Sequence, residues 1–587
     1  MIKLLKRMSA VQTMTALLCV LIIAFQVYLD LLIPDFMSDI TQLVMTPGSA
    51  VSEVWAAGGK MLLCALGSLA AAIFVGYLSA KIAAGFARDL RRSVFDKVQM
   101  FSLGEINSFS TPSLITRSTN DILQIQMIIA IGLQAMIKAP IMATWALTKI
   151  AGKGEEWTLV TALFVLLLVM VISVVFYLAT PKFRRMQWLT DSVNRITREN
   201  LTGLRVIRAC NAEPFQQERF SKANSALSYA HLYASRVMSA LPATMNLVTS
   251  GLTLSIYWIG AVLIQSAAMG DKLGIFSNMV VFSSYAMQVI FAFIMLTIIF
   301  IMMPRVIVSA KRVNEVLDRE LSVTDGPGAV SLDGKAGEVE FRNVSFKYPG
   351  AEDYVIRNVS FTARKGETVA FIGSTGSGKS TLINLIPRFY DVSEGQVLVD
   401  GVDVREYSQR QLRNRLSYIP QRSVLFTGTV SSNVAFGDNG RARPQDKEIR
   451  RAVRIAQSQD FVEAMPDQYN AAIAQGGINI SGGQKQRLSI ARAVCRQPEI
   501  FIFDDSFSAL DLKTDKNLRG ALKAEISDAT NLIVAQRIGT IRDADSIVVL
   551  EEGEIVGIGT HSSLLESCEV YREIALSQLS EEELSNE

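Results

Sequence analysis

A glycine-rich stretch, residues 373–381, has the composition and spacing of a phosphate-binding loop: glycine, four residues, then Gly-Lys-Ser. The apolar run 368–372 before it predicts a buried strand, and residues 382–386 after it predict a helix. Glycine lets backbone N–H groups surround a phosphate, the lysine can reach the β- and γ-phosphates, and the following serine can ligate Mg²⁺. The candidate ATP-binding residues of this loop are Ser374, Thr375, Gly376, Ser377, Gly378, Lys379, Ser380 and Thr381.

A second apolar run, residues 500–503, ends in two carboxylates, Asp504 and Asp505. In phosphate-binding-loop enzymes the first carboxylate of such a strand holds Mg²⁺, directly or through water, and the next residue is where a general base meets the attacking water. A strand that ends in two aspartates is unspecific by itself. Its position downstream of the loop, with Ser-Gly-Gly-Gln at 481–484 between them, makes a nucleotide-hydrolysing site the specific interpretation.

The length and composition predict a membrane portion and a soluble portion. A chain of 587 residues exceeds one domain, only 19% of its residues are charged, and the mean hydropathy is +0.28. The net charge of +3 is close to balance and gives no reason to expect a nucleic-acid partner. The five cysteines are scattered without a C-x-x-C pair, so neither a disulfide framework nor a zinc site is predicted.

Six apolar runs are each long enough to cross a membrane, which takes about 20 residues. A cleaved signal peptide is a weaker interpretation of the first run, because no small-residue cleavage site precedes residue 28 and further spans follow. Lys138 in the third run is costly at membrane depth, so we expect it to face a cavity or the cytoplasmic boundary rather than lipid. The predicted spans are about residues 14–33, 61–80, 128–148, 157–180, 237–265 and 273–304.

Basic residues predict the orientation of these spans. Lys3, Lys6 and Arg7 precede the first span, and basic clusters at 88–97, 182–185 and 305–312 follow the second, fourth and sixth. The loops on the other side carry less net positive charge, so both termini are expected to face the cytoplasm. We therefore expect a multi-pass protein of a cell membrane, of the bacterial plasma-membrane type.

Two cytoplasmic connections, residues 81–127 and 181–236, are long, charged and poor in Pro and Gly, so the membrane helices are expected to continue into the cytoplasm. Each connection contains a polar break, at 105–112 and at 198–203, that suits a short transverse helix or a plain surface loop.

A Gly-, Asp- and Ser-rich segment, residues 321–337, predicts a linker, and beyond it short β-runs alternate with amphipathic helices. The predicted fold is therefore an all-α membrane domain of six transmembrane helices (1–320), fused to a cytoplasmic α/β P-loop nucleotide-binding domain (338–578). The acidic tail, residues 579–587, is expected to be disordered.

With these motifs the sequence resembles the ATP-binding cassette (ABC) transporters. Residues 480–487, Ile-Ser-Gly-Gly-Gln-Lys-Gln-Arg, match the signature motif of that family, with Ile for the usual Leu, and residues 508–511 match its D-loop. The resemblance implies that Tyr348 stacks on adenine and that Gln421, the glutamine of the family's Q-loop, joins Mg²⁺ to the membrane domain. The signature residues that would face the ATP of the opposite subunit are Ser481, Gly482, Gly483 and Gln484.

Six spans ahead of one cassette resemble a half-transporter of the exporter type, whose coupling helices would be the two polar breaks. The resemblance covers about residues 14–576 and implies ATP and Mg²⁺ as ligands, a lipid bilayer as surroundings and a second half-transporter as partner. A soluble DNA-repair ATPase of the same cassette type is excluded by the six spans. The implied Mg²⁺ ligands are Ser380, Gln421 and Asp504.

Two residues depart from the family pattern at the hydrolytic site. The catalytic glutamate is replaced by Asp505, which is one methylene shorter, and the switch-loop histidine is replaced by Gln536. Glutamine can hydrogen-bond a phosphate oxygen but cannot carry a proton as imidazole can. His561 cannot fill the role, because it belongs to a stretch that the family has elsewhere, and His231 lies in the membrane half. A softer departure is Ala-Gln-Gly-Gly at 474–477.

Both main departures fall on the site built from this chain's own Walker motifs, whereas its signature is intact. This asymmetry resembles one half of a heterodimeric exporter that has one degenerate and one consensus site. This chain would bind ATP and hydrolyse it slowly, with Asp505 and Gln536 at the catalytic positions, while its signature completes the partner's productive site. A homodimer that works adequately with Asp and Gln, and a chiefly regulatory ATP-binding subunit, are the alternatives.

The sixth span is rich in Met and Phe, whose flexible and aromatic side chains suit a promiscuous apolar cavity. Each could equally face lipid or a neighbouring helix. Drugs or other small amphipathic molecules are therefore the first substrate hypothesis, and lipid, peptide or siderophore transport by the same fold is the alternative. The side chains concerned are Met279, Phe282, Met287, Phe291, Phe293, Met295, Phe300, Met302 and Met303.

Overall fold

The computed structural model describes residues 2–46, 49–150, 154–268, 271–328 and 336–578, without the side chains of residues 179, 180, 183, 184, 300 and 301. The predicted acidic tail, residues 329–335 of the predicted linker and the side chain of Phe300 therefore lie outside the described residues. The chain divides into two compact units: Met1–Asp96 with Leu114–Asp318, and Lys97–Ser113 with Arg319–Glu587. The domain boundaries at 320 and 338 stay predictions.

In the described part of the chain six helices are long and apolar enough to cross a membrane, which confirms the predicted number. Three of them have 48 to 54 residues, far more than a crossing needs, so the helices do continue beyond the predicted spans. The helices of this part of the chain are α1 (Ile2–Leu5), α2 (Ala10–Met45), α3 (Val51–Gln99), α4 (Leu103–Phe109), α5 (Thr111–Ser118), α6 (Asn120–Ile150), α7 (Glu155–Thr202), α8 (Leu204–Ala209), α9 (Glu213–Ser266) and α10 (Lys272–Leu317).

The sequence predicted the position of a short helix more accurately at the first polar break than at the second. The first contains most of the short helix α4, which begins after the cap Ser102 and ends at Ser110, a residue with φ of 60°. The second, predicted at 198–203, is the last turn of α7, and the short helix α8 begins only after it. Gly203 separates α7 from α8, because glycine has a low helix propensity whereas the residues before it tolerate a helix.

A buried carboxylate fixes α4 within the second unit. Glu105 is 3% exposed and accepts hydrogen bonds from the backbone N–H groups of Ser102 at 2.7 Å and Ser322 at 3.0 Å. Burial alone would raise the pKa of Glu105, but hydrogen bonds from the two serines outweigh it and lower that pKa. Asn107 Nδ2 donates to the Tyr390 hydroxyl at 3.3 Å. The first break is therefore a docked helix rather than a plain surface loop.

Ion pairs join the transmembrane helices. Lys138 Nζ lies 2.9 Å from a carboxylate oxygen of Asp30, and Lys149 Nζ lies 2.7 Å from one of Asp35. The Tyr285 hydroxyl donates to the other oxygen of Asp35 at 2.6 Å. We expected Lys138 to face a cavity or the cytoplasmic boundary rather than lipid, and the structure pairs it with a carboxylate on α2. A charge that loses water at membrane depth needs such a partner, which links α2, α6 and α10.

The variant Lys138→Met is expected to lower the unfolding temperature of the protein in detergent, with a loss of stability of up to about 3 kcal/mol, because it leaves the Asp30 carboxylate without its partner. The double variant Asp30→Asn/Lys138→Met removes both charges and should recover most of the loss. Thermal unfolding followed by intrinsic fluorescence measures both. Equal unfolding temperatures for the single variant and the unchanged protein would show that the pair is not stabilising.

The Met and Phe side chains of the sixth span do not share one environment. Met279 and Phe282 are buried in the helical core at 4% and 0% exposure, whereas Met287 and Phe291 are exposed at 42% and 59%. Among the described side chains of the predicted set, Phe293 alone lines a large cavity of this unit, whose walls come mainly from α7. A helix of period 3.6 turns successive side chains to different sides, so composition alone could not assign them to one cavity.

The second unit contains the predicted α/β domain, and the apolar runs at 368–372 and 500–503 are both strands. The strands are β1 (Val339–Phe346), β2 (Ile356–Ala363), β3 (Thr368–Gly373), β4 (Glu394–Val399), β5 (Val402–Asp403), β6 (Leu416–Ile419), β7 (Gly428–Thr429), β8 (Ala472–Ile473), β9 (Ile500–Asp504), β10 (Thr530–Val534), β11 (Ser546–Glu551) and β12 (Glu554–Gly559). Its helices are α11 (Lys379–Leu385), α12 (Gln409–Arg415), α13 (Val430–Val434), α14 (Asp446–Ile455), α15 (Gln459–Glu463), α16 (Gly482–Cys495), α17 (Leu512–Glu525), α18 (Ile538–Ile541), α19 (His561–Ser567) and α20 (Glu569–Leu576).

The main sheet has six strands in the order β12-β11-β3-β10-β9-β6, and all neighbours are parallel except β12. Alternate residues of β3 enter two different cores, with Ala370 and Ile372 on one face and Val369 and Phe371 on the other. A strand buried on both faces reads as a continuous apolar run, which is why the sequence showed it. A second, antiparallel sheet has the order β2-β1-β4-β5.

Candidate nucleotide site

The candidate site lies at one edge of the parallel sheet, where four neighbouring strands end. β3 runs into the glycine loop, β9 ends at Asp504, β10 precedes Gln536, and β6 precedes Gln421. Ligands bind at this edge in open α/β sheets because loops after parallel strands converge there. Residues far apart in sequence are therefore brought into one cluster by strand order.

Two glycines of the loop are required by close packing. At Gly378, with φ of 93°, an added Cβ would lie 2.6 Å from Ile356 Cδ1. At Gly373 it would collide with the carbonyl oxygen of Leu550. At Gly376, with φ of 89°, no atom lies within 4 Å of the added Cβ, and the left-handed backbone itself favours glycine there.

The side chain of Lys379 is hydrogen-bonded to earlier residues of the glycine loop. Its ammonium donates to the carbonyl oxygens of Gly373 at 2.9 Å and Ser374 at 2.6 Å, and to the Ser377 hydroxyl at 3.1 Å. Burial lowers the pKa of Lys379, and the charge of Asp505 opposes that shift. Among the described residues this lysine has no ion-pair partner, so a nucleotide phosphate fits as its counter-charge.

The Walker B carboxylate is held by two hydroxyls. Asp504 accepts from Ser380 Oγ at 2.7 Å and from the Tyr418 hydroxyl at 2.9 Å. Within the described ranges, no group of three or more His, Cys, Asp or Glu side chains could hold a metal. The oxygen donors of Ser380, Gln421 and Asp504 nevertheless suit Mg²⁺, which binds through one or two carboxylates together with phosphate oxygens.

Asp505, at the position of the general base, is clamped by two amides. Gln421 Nε2 and Gln536 Nε2 both donate to the same carboxylate oxygen, Oδ2, at 3.0 Å each. Burial raises the pKa of Asp505, and hydrogen bonds from Gln421 and Ser508 oppose that shift. The structure thus brings together the two residues that depart from the family pattern, and Gln421 donates to the same carboxylate oxygen as Gln536.

Tyr348, the candidate adenine-stacking residue, stands beside the loop. Its hydroxyl lies 2.9 Å from Thr381 Oγ1, and its ring meets those of Phe346 and Tyr390 edge to face at 5.1 and 5.3 Å. These contacts fix the orientation of the ring beside the loop.

The signature begins a helix away from this cluster. Ser481 caps α16: its hydroxyl accepts from Gln484 N at 3.3 Å, and its own N–H donates to Gln484 Oε1 at 2.9 Å. Ser481 and Gly482 are exposed, and nothing lies within 4 Å of a Cβ added at Gly482. In the described part of the chain, no hydrogen bond joins residues 481–484 to the glycine loop. This open N-terminus of a 14-residue helix can receive an anion from outside the chain.

Two further residues were missed from the sequence. Tyr418 contacts Asp504, and Gln486 receives a hydrogen bond from Ser423 and donates to the Pro420 carbonyl at 3.4 Å, which ties the signature helix to the Q-loop. Gln486 is 3% exposed. A polar residue near the end of the signature match was the available signal, but its partners come from another strand end.

Comparison with known proteins gives consistent matches over both halves. The family described as ABC transporter transmembrane region matches residues 14–293, and that described as ABC transporter matches residues 356–508. An uncharacterized ABC transporter ATP-binding protein of Mycobacterium tuberculosis is 40% identical over 89% of this chain and 87% of its own length. An ATP-dependent lipid A-core flippase of Syntrophus aciditrophicus is 31% identical over 88% of this chain and 84% of its own. The solved structure of a bacterial Atm1-family ABC exporter with ATP bound has 25% identity and a TM-score of 0.81, over 97% of this chain and 98% of that one.

Proposed function

Because this chain belongs to the ABC transporter family, we propose that it is one half of a heterodimeric, ATP-driven exporter of drugs or other amphipathic molecules. Membership implies ATP binding, transport coupled to ATP hydrolysis, and a membrane-embedded fold that works as a dimer. The proposal adds that the two halves differ, and that this half carries the slow site.

The observation that carries the proposal is the clamp on Asp505. A general base must direct a carboxylate oxygen at the attacking water, and this carboxylate is short, 8% exposed and held in its orientation by two amides on Oδ2. Gln536 cannot relay a proton as the family's histidine does. In the proposed site residues 374–381 and Tyr348 bind ATP, and Ser380, Gln421 and Asp504 hold Mg²⁺. When bound, Mg²⁺ neutralises charge on the phosphate oxygens.

The intact signature supports the other half of the proposal. Ser481, Gly482, Gly483 and Gln484 open a capped helix, and among the described residues the N–H groups of Gly482 and Gly483 have no acceptor, so they can meet the γ-phosphate of ATP on the partner. In a dimer of two different halves, these residues complete the partner's consensus site. Both termini face the cytoplasm of a bacterial plasma membrane in this proposal, on the evidence of the basic residues beside the spans.

Lipid transport is the second candidate. A relative of 31% identity is named an ATP-dependent lipid A-core flippase, and the match covers most of both chains. Transport assays in liposomes, with fluorescent lipids and fluorescent drugs as competing cargoes, would separate the two.

ATPase activity of the purified chain alone should be about 100-fold below that of the pair, because both sites of a self-dimer contain the clamped carboxylate, and misplacement by about 1 Å costs about that factor. Phosphate release at saturating ATP measures it, with the partner co-expressed in the second sample. A chain that hydrolyses ATP rapidly and transports by itself would overturn the heterodimer and favour the homodimer.

A further inference from the structure

The compact unit formed by Met1–Asp96 and Leu114–Asp318 contains a cavity of about 930 Å³ between α7, α9 and α10. This volume lies within the range of sites that bind small molecules, and apolar walls are typical of them. Its walls are mainly apolar, and they include Val169, Ile172 and Phe176 of α7, Tyr233 of α9, and Phe293 and Leu296 of α10.

Lys182 is the one cation among the described residues that line this mainly apolar space. Lys182 Nζ lies 4.7 Å from the centre of the Tyr233 ring, and both residues belong to the cavity wall. Lys138 and Lys149 of the same unit are paired with aspartates, whereas Lys182 has no carboxylate partner among the described residues. A contact with an aromatic face is worth about 0.5–1 kcal/mol at an exposed site and leaves the charge uncancelled. The cavity therefore carries a net positive charge at Lys182.

The position of Lys182 along α7 indicates its depth in the membrane. It follows the predicted fourth span by two residues and lies about 38 Å along the helix from Trp157, more than the hydrocarbon thickness of about 30 Å. Val169, also in the wall, lies about 20 Å from it towards the membrane interior. The cavity thus extends from the headgroup level of one leaflet into the hydrocarbon, and in the proposed orientation that leaflet is cytoplasmic.

We propose that this cavity binds an anionic amphiphile drawn from the cytoplasmic leaflet, with its phosphate or carboxylate on Lys182 and its acyl chain along α7 and α10. A charged headgroup and an apolar chain match the two parts of the wall. This inference rests on the proposed function, because it names the chemical class of the exported amphiphile: an anion rather than a cation or a neutral molecule.

Binding is measured on the complex of the full chain and its partner, in neutral detergent and without ATP. The probes are a fluorescent phosphatidylglycerol and a phosphatidylcholine with the same chains, followed by anisotropy. The unchanged complex should prefer phosphatidylglycerol. Lys182→Glu should weaken phosphatidylglycerol binding at least about tenfold and remove the preference, because a charge reversal replaces attraction by repulsion. Lys182→Arg keeps the positive charge, so it should keep both the affinity for phosphatidylglycerol and the preference over phosphatidylcholine.

Two further variants separate charge from space. Lys81 follows the second predicted span immediately, is exposed and has no ion pair among the described residues, so Lys81→Glu controls for a general loss of positive charge at the same leaflet. Ser173→Trp fills the cavity without changing its charge and should weaken both lipids. Thermal unfolding of each variant checks that it is folded.

Equal phosphatidylglycerol binding by Lys182→Glu and Lys81→Glu, or unchanged binding by Ser173→Trp, would overturn the inference. So would efficient disulfide cross-linking of Ser173→Cys to the partner chain with exclusion of lipid, which would make the partner the occupant. Since binding is measured without ATP, its failure is distinct from that of the proposed function. If the pair hydrolyses ATP but shows no lipid preference, only the proposed lipid site is rejected. If the pair binds lipid but its two sites hydrolyse ATP equally, only the proposed heterodimer is rejected.

Discussion

The double variant Asp505→Glu/Gln536→His is expected to raise ATP turnover at this chain's own site by up to about 100-fold. In the present site Asp505 Oδ2 is bound by both Gln421 and Gln536. A glutamate is one methylene longer and can extend past the Q-loop amide towards the attacking water, while imidazole can exchange a proton near neutral pH. ATP affinity should change little, because Lys379 and Tyr348 are untouched.

The measurement is phosphate release by the heterodimer after the partner's catalytic glutamate is changed to glutamine, so that only this chain's site reports. Asp505→Glu and Gln536→His are also made singly, since residues that share one hydrogen-bond network are expected to be non-additive. If the repaired site stays as slow as the original, the defect lies elsewhere, most simply in the partner's signature. The assignment to these two residues would then be insufficient.

The variant Ser481→Arg is expected to lower turnover by the heterodimer about 100-fold or more, although no hydrogen bond links Ser481 to the candidate site among the described residues of this chain. The side chain would occupy the exposed N-terminus of α16, where the N–H groups that face the partner's γ-phosphate are found. Loss of one such donor to a developing charge costs about 10²–10³ in rate.

The chain offers a matched control for this substitution. Ser408 caps α12 with the same Ser-x-x-Gln box, since its hydroxyl accepts from Gln411 N at 3.3 Å and its N–H donates to Gln411 Oε1 at 3.3 Å. Ser408→Arg therefore costs a similar cap, about 1 kcal/mol, without blocking a signature. ATPase of the pair should fall only for Ser481→Arg. Near-normal turnover in that variant would show that the partner's site does not use this signature.

Much of the fold could be predicted from local sequence patterns. The six crossings could be predicted because hydrocarbon excludes charge over about 20 residues. The glycine loop could be predicted because its left-handed backbone at Gly376 and Gly378 favours glycine. The strand β3 was visible as an apolar run because both of its faces are buried. These are properties of a short segment and its immediate solvent, so sequence order alone determines them.

Contacts between distant segments were decided only by tertiary structure. The clamp on Asp505 joins residues that follow three different strands, and no spacing in the sequence states that β6, β9 and β10 are neighbours. The partner of Lys138 is Asp30 on another helix, and Lys182 meets Tyr233 across α7 and α9. The sequence shows which groups need a partner, because a desolvated charge or amide is costly. Which group supplies it depends on how strands and helices pack, and that packing is a property of the whole chain.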